Sequence, residues 1–183
     1  NPDLKRELDK IKDLYPYHIV PQGYWNERVL LSKLPIKKHE FKMFKLSATY
    51  YLDATLQSPT GKEIRFIGVH NIAPVTAGHV FYRNAQFREL AHMVEQAAHK
   101  YNILGGDLNI TPYSTPFQEL VRVGNFKFPQ QHTGSWPSHF MISPLRIQID
   151  HLLVSQNISY VNQEAGPNVA SDHMPLITTI SLN

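Results

Sequence analysis

At 183 residues the chain is the length of one domain, since roughly 150 residues per domain is the usual expectation. A hydrophobic fraction of 42% and a mean hydropathy of −0.31 describe a chain with enough apolar residues for a core and too few for a membrane span, which takes about 18 consecutive ones. Zero cysteines exclude disulfides, thiolate zinc sites and cysteine nucleophiles together, and a net charge of +3 (pI ≈ 9.1) is compatible with an anionic substrate but lacks the clustered runs of a dedicated DNA binder.

Asn1-Pro2-Asp3 reads as a helix start, with Leu4, Leu8, Ile11 and Tyr15 at helical spacing and Pro16 ending the run. No signal-peptide pattern opens the sequence, so any export signal or anchor is expected outside these residues. Short strands are predicted at Tyr17–Val20 and Arg28–Ser32, separated by "PQGYWNE". The basic residues Lys37, Lys38, Lys42 and Lys45 read as a solvated strand or loop. A long strand from Phe44 to Gln57 turns through "SPTGK" into "EIRFIGVH", a predicted hairpin. Phe87, Leu90, Ala91, Val94 and Ala98 form the apolar stripe of a second helix, which Arg83 and Asn84 open. That helix feeds a strand ending at Gly105, and a third helix is predicted around Thr115–Val123. Residues Gln130–Leu145 have neither period and read as a long irregular loop. Strands resume at Gln148–Val154, Ile158–Val161 and Leu176–Ile180, and the whole suggests layered α/β with mixed sheets.

Four stretches put polar groups at the ends of apolar strands: "FIGVHNIAP" with His70, "LGGDLN" with Asp107 and Asn109, "IQIDHLLVS" with Asp150, and "ASDHMPLITTI" with Asp172 and His173. Each alone has a plain explanation. Gly, Asp and Asn favour turns for backbone reasons, and single histidines are commonly structural. Asp150 is harder to dismiss, because a carboxylate among buried apolar residues needs a partner. Together the four suit phosphoryl transfer, which requires neutralised charge, an oriented water and a stabilised leaving oxygen. Asp107 and Asp172 are ligands for a hard cation, Mg²⁺ or Mn²⁺, and a His beside a buried Asp is held charged.

The ordered set H-x-x-P, G-D-x-N, (I/L)-D-H and S-D-H-x-P resembles the endonuclease/exonuclease/phosphatase superfamily, the deoxyribonuclease I-like fold. "YPYHIVPQGYWNERVLLSKLPI" and "RNAQFRELAHMV" are similar to further segments of that family, so the resemblance covers nearly all of the chain. It implies a four-layer α/β/β/α sandwich with the active site at one edge of two packed sheets. By the same resemblance Asp107 holds or activates the water, Asn109 binds the phosphate, and His173, oriented by Asp150, contacts the phosphoryl group. Asp172 lies at the metal, and His70 assists phosphate binding or leaving-group protonation. The general base, Asp107 or His173, stays open. Trp136 in the long loop is a candidate for stacking on a base or lining a leaving-group pocket, and Arg83 for holding an anion at a helix start.

The family opens with a strand carrying an Asn and a strand ending in a Glu, its principal metal ligand. Neither has a counterpart here: Glu7 reads as facing outward on the helix, and Glu27 lies in an unrelated loop. The expectation is therefore residues 1–183 of a catalytic domain incomplete at its N-terminus, with weakened metal binding and a sheet edge available for self-association. The resemblance is nearest to bacterial proteins with a membrane-anchored domain outside the cytoplasm. The expected activity is a metal-dependent phosphoesterase, nuclease-like, on a phosphate ester such as nucleic acid or a phosphoinositide. An inositol- or lipid-phosphate phosphatase and a non-catalytic phosphate-binding module are the rivals.

Overall fold

A computed structural model describes residues 2–21, 28–95, 99–140, 142 and 145–183. The readings of Glu27 and of Ala98 fall outside them. Helix α1 spans Pro2–Ile11 and is followed by strands β1 (Tyr17–Ile19) and β2 (Leu30–Ser32). Then come β3 (Ile36–Met43), β4 (Tyr50–Gln57), β5 (Glu63–His70), α2 (Ala77–Glu95), β6 (Tyr101–Asp107) and α3 (Thr115–Val123). Strands β7 (Phe126–Lys127), β8 (Asp150–Ser155), β9 (Ile158–Ala165) and β10 (Leu176–Leu182) complete the chain. No helix among the described residues is long and apolar enough to cross a membrane.

The centre is a six-stranded mixed sheet in the order β3-β4-β5-β6-β8-β7, with only β5 and β6 parallel. A parallel pair needs a crossover, and α2 supplies it. Strand alternation sends Tyr51, Ile67, Val69, Leu104 and Leu153 to one face, where Phe87, Leu90, Ala91 and Val94 of α2 and Phe117 and Leu120 of α3 cover them. The opposite face carries Leu56, Ile64, Ile103 and Val154, covered by Leu30 of the β1–β2 pair and by Tyr160, Ile180 and Leu182 of the β9–β10 pair. Both faces being buried explains why the central strands read as nearly continuous apolar runs.

The basic segment after Ile36 is the solvated strand of the two alternatives, edge strand β3, which tolerates lysine because one side meets water. Two expectations are corrected. The strand expected from Phe44 begins at Tyr50, because the Phe44 N–H donates to the Thr49 carbonyl at 3.0 Å and closes a turn. The second helix begins at Ala77, so Arg83 lies in its second turn and does not open it.

Candidate active site

The site is made by sheet register. His70 pairs with Asp107 across the parallel β5–β6 contact, and Asp107 pairs with Asp150 across the antiparallel β6–β8 contact. Three motif residues distant in sequence thus form one row at the end of three adjacent strands. Gly106 makes this register possible, since a Cβ there would lie 1.9 Å from the Val69 carbonyl oxygen and its φ is +135°.

Asp107 is mostly buried and heads a tight turn. Its Oδ1 accepts the Asn109 backbone N–H at 2.7 Å, and its Oδ2 accepts Asn109 Nδ2 at 3.1 Å. Asn109 has φ +51°, a left-handed conformation that Asn tolerates, and its Nδ2 also donates to the Asn71 carbonyl at 2.9 Å. The turn chemistry and the site are therefore the same object. Burial holds the Asp107 carboxyl above the usual carboxylate range; the Asn109 N–H opposes this, the Asp150 charge adds to it, and His70 and His173 oppose it.

His173 Nδ1 and Asp150 Oδ2 share a hydrogen bond of 2.7 Å. Burial alone would lower the imidazole pKa, but that bond and the charges of Asp150, Asp107 and Asp172 outweigh it and hold the ring above its ordinary value. With Nδ1 occupied, Nε2 faces Asp107 Oδ2 at 4.0 Å, while His70 Nε2 lies 3.6 Å from the same oxygen. One ligand atom each from Asp107, Asp150 and His173 falls within 4.8 Å of the others. Asp172 is exposed and lines the same cleft without joining that trio.

The cleft has a volume of about 890 Å³ and is lined by His70, Arg83, Asp107, Asn109, Asp150, Trp136, Asp172 and His173 together with Val75, Ile147 and Ile149. Arg83 is buried and donates to the Asn109 carbonyl at 2.9 Å, so it braces the turn from the second turn of α2. Trp136 is 38% exposed and held by backbone hydrogen bonds to Ile147 in both directions.

Several supporting residues were not singled out from sequence. Buried Ser135 accepts the Met174 N–H at its carbonyl, 2.7 Å, and its Oγ lies 3.3 Å from the Asp150 N–H. The irregular loop therefore clamps Asp150 to the segment carrying His173. Gln86, also buried, accepts Asn71 Nδ2 at 3.0 Å and the Ile72 N–H at 3.2 Å, fixing the chain after His70. A polar residue one position before an apolar helical stripe was the only sequence signal for it. His151, beside Asp150, is structural: Nε2 bonds the Ile110 carbonyl at 2.8 Å and the ring packs on Phe117.

Residues 2–173 match the Endonuclease/Exonuclease/phosphatase family. The chain belongs to that family. Among curated proteins none matches it. Sphingomyelinase C from Streptomyces griseocarneus is similar in structure, with a TM-score of 0.71 and 16% identity over 97% of this chain and 82% of that one. A beta toxin mutant from Staphylococcus aureus with bound magnesium ions gives 0.68 and 18% over 94% and 80%. The human nocturnin catalytic domain with bound sulfate gives 0.64 and 14% over 85% and 63%. At these identities the likeness carries the fold, which is the deoxyribonuclease I-like α/β sandwich that the motif resemblance implies.

Replacing Asp150 by Asn is expected to lower the His173 pKa, because the opposing burial then acts with less compensation. An NMR titration of the His173 ring in the metal-free protein, with and without the substitution, checks this. Unchanged titration would deny Asp150 its orienting role.

Proposed function

We propose that this family member is a phosphoesterase that hydrolyses a phosphate ester in the cleft. The observation that carries the reading is the convergence of a mostly buried carboxylate, Asp107, and an imidazole whose pKa Asp150 raises on one 4.0 Å gap. That gap is wide enough for one bridging oxygen, of a water or of a phosphoryl group. In this reading Asp107 orients the water. His173 Nε2 donates to a phosphoryl oxygen, and half-exposed His70 reaches the substrate from the other side of Asp107. Both amide protons of Asn109 are engaged, so a phosphoryl oxygen would take the place of its longer 3.1 Å contact.

The donor chemistry fits a hard divalent cation. Asp107 and Asp150 lie side by side, and burial and mutual repulsion raise the energy of the charged pair, which a cation at Asp107 would relieve. Asp107, with Asp150 beside it, would hold Mg²⁺ or Mn²⁺, while Asp172, the second ligand of the motif reading, lies on the same cleft outside that trio; the ion would supply charge neutralisation and a more acidic water.

A second reading concerns the substrate. Among the described residues Arg83 is the only Lys or Arg lining the cleft, against three aspartates, and Val75, Trp136 and Ile147 leave an apolar rim. A polyanionic strand gains little from such a wall, whereas a single phosphate on an apolar body, as in a phosphoinositide or other lipid phosphate, matches it. The sphingomyelinase likeness supports the same choice.

The test is hydrolysis by the 183-residue chain, with Mg²⁺ or Mn²⁺ titrated in, of bis(p-nitrophenyl) phosphate, a DNA oligonucleotide, and vesicles carrying phosphoinositide or sphingomyelin. Metal-dependent turnover with vesicle substrates ahead of the oligonucleotide is the expected result. Phosphate binding in the cleft without turnover of any substrate would identify a binding module instead. The extracytoplasmic, membrane-anchored bacterial placement stays part of the proposal, and fractionation of the source cell checks it.

A further inference from the structure

A second cavity of about 560 Å³ lies on the helix-covered face, at the other end of the strands from the cleft. Lys38 pairs with Thr55, and Thr55 with Arg65, so the three side chains form one row across β3, β4 and β5 on a common face. Met93 of α2 and His99 bound the same cavity. Arg65 and His70 stand five residues apart on one strand. That spacing sets them on opposite faces and about 17 Å apart along it.

Three cations line the cavity, Lys38, Lys42 and Arg65, against two carboxylates, Asp53 and Glu40. Asp53 accepts Arg65 Nε at 2.9 Å, Arg65 Nη2 at 2.8 Å and Lys42 Nζ at 2.9 Å, and Glu40 lies 3.7 Å from Lys42 Nζ, which leaves Lys38 as the unmatched cation. Arg65 is 7% exposed, yet its Nη1 has no acceptor among the described residues, and neither Lys38 Nζ nor Thr55 Oγ1 has a partner there. An unused guanidinium N–H, an unused hydroxyl and an unused ammonium that open onto one cavity are a set of donors without a protein acceptor. His99 reports the same field: burial, then the charges of Arg65 and Lys38, hold its ring below the ordinary value.

We propose that this cavity is a second, oxyanion-binding site that takes the phosphate group of a small phosphorylated molecule. Donors of three different geometries converging from one row suit a tetrahedral anion better than a planar carboxylate. The cavity is also several times larger than an inorganic ion, leaving room for the body of the molecule. The site is independent of the chemistry in the cleft, since none of its residues lines both.

The test is a residue-resolved NMR titration of the 183-residue chain with inorganic phosphate, glucose 6-phosphate and, as an uncharged control, glucose. Saturable shifts at Thr55 and at Arg65 Nε with a dissociation constant of about 1 mM or tighter are expected for a phosphate compound and not for glucose. Lys38→Glu, on an exposed side chain, and Thr55→Val should each weaken that binding at least tenfold while leaving shifts at Asn109 unchanged. Tighter binding of glucose 6-phosphate than of phosphate identifies a phosphorylated small molecule; equal binding identifies the free ion and overturns that half of the proposal. Shifts confined to Asn109, shifts that rise linearly without saturating, or binding that survives both substitutions overturns the site.

Discussion

Asp107→Ala should reduce hydrolysis at least a hundredfold while leaving the fold intact. The carboxylate meets every active partner of the row: it orders Asn109 through two hydrogen bonds and faces both His70 and His173 across short gaps. In the proposed mechanism its removal takes away the group that orients the water, and with it an anionic anchor for a cation. A loss of about 3 kcal/mol in barrier stabilisation corresponds to roughly a hundredfold in rate. The fold should survive because Asp107 ends its strand, and the Leu108 N–H bond to the Ile149 carbonyl, 2.9 Å, does not involve the side chain. Substituting Ala also relieves the burial that holds this carboxyl above its usual range. Steady-state kinetics with a circular-dichroism melt checks both halves, and activity within about threefold of the parent would refute the role.

Stability should fall as pH drops from about 6.5 to about 4, before most carboxylates titrate. The cause is His151, 2% exposed, whose ring burial holds below its ordinary value, to about 4, against the Ile110 carbonyl bond that favours the charged form. Between those two values the unfolded chain binds a proton that the folded chain refuses, so acid favours unfolding. The stability contributed by the neutral ring is complete above the unfolded value and is lost as pH falls toward the folded one. A shift of this size corresponds to roughly 3 kcal/mol, a large part of a typical domain's stability. Asp53 adds a second loss at lower pH. Burial would raise its carboxyl, but the hydrogen bonds and charges of Arg65 and Lys42 depress it to about 2. Its contribution is therefore present above about 3.8 and disappears toward 2. Urea unfolding at pH 7.5, 5.5 and 4.5 checks the first effect. His151→Phe, matching the Phe117 contact without a titrating group, should flatten the curve over the upper interval.

The order of helices and strands was legible from sequence wherever an element carried its own period. The hairpin of β4 and β5, helix α3 and the strand after α2 are examples. Each alternation or stripe is written in the residues that later face the core. Strand β3 was not legible as a paired strand, because an edge strand meets water and its lysines give no apolar period. The start of α2 was displaced by two turns because Ala77 to Tyr82 carry no buried stripe; burial begins at Arg83.

The same division runs through the site. Sequence alone identified the chemical types, four short motifs whose carboxylates, amide and imidazoles belong together only in phosphoryl chemistry. It also singled out Asp150 as a carboxylate in need of a partner, since an acid among apolar residues is unstable by itself. Sequence could not show that His70, Asp107 and Asp150 stand in one row, because strand register joins residues up to 80 positions apart through backbone pairing that leaves no local pattern. Local pattern does not separate His151 from His173, both histidines following an aspartate; in the sequence the choice of His173 rests on the family motif. Strand alternation turns the first inward onto Phe117, whereas a loop clamped by Ser135 carries the second to the Asp150 carboxylate. Residue identity set which reactions the chain can perform; burial and register, which are properties of the packed sheet, decided which of those residues meet.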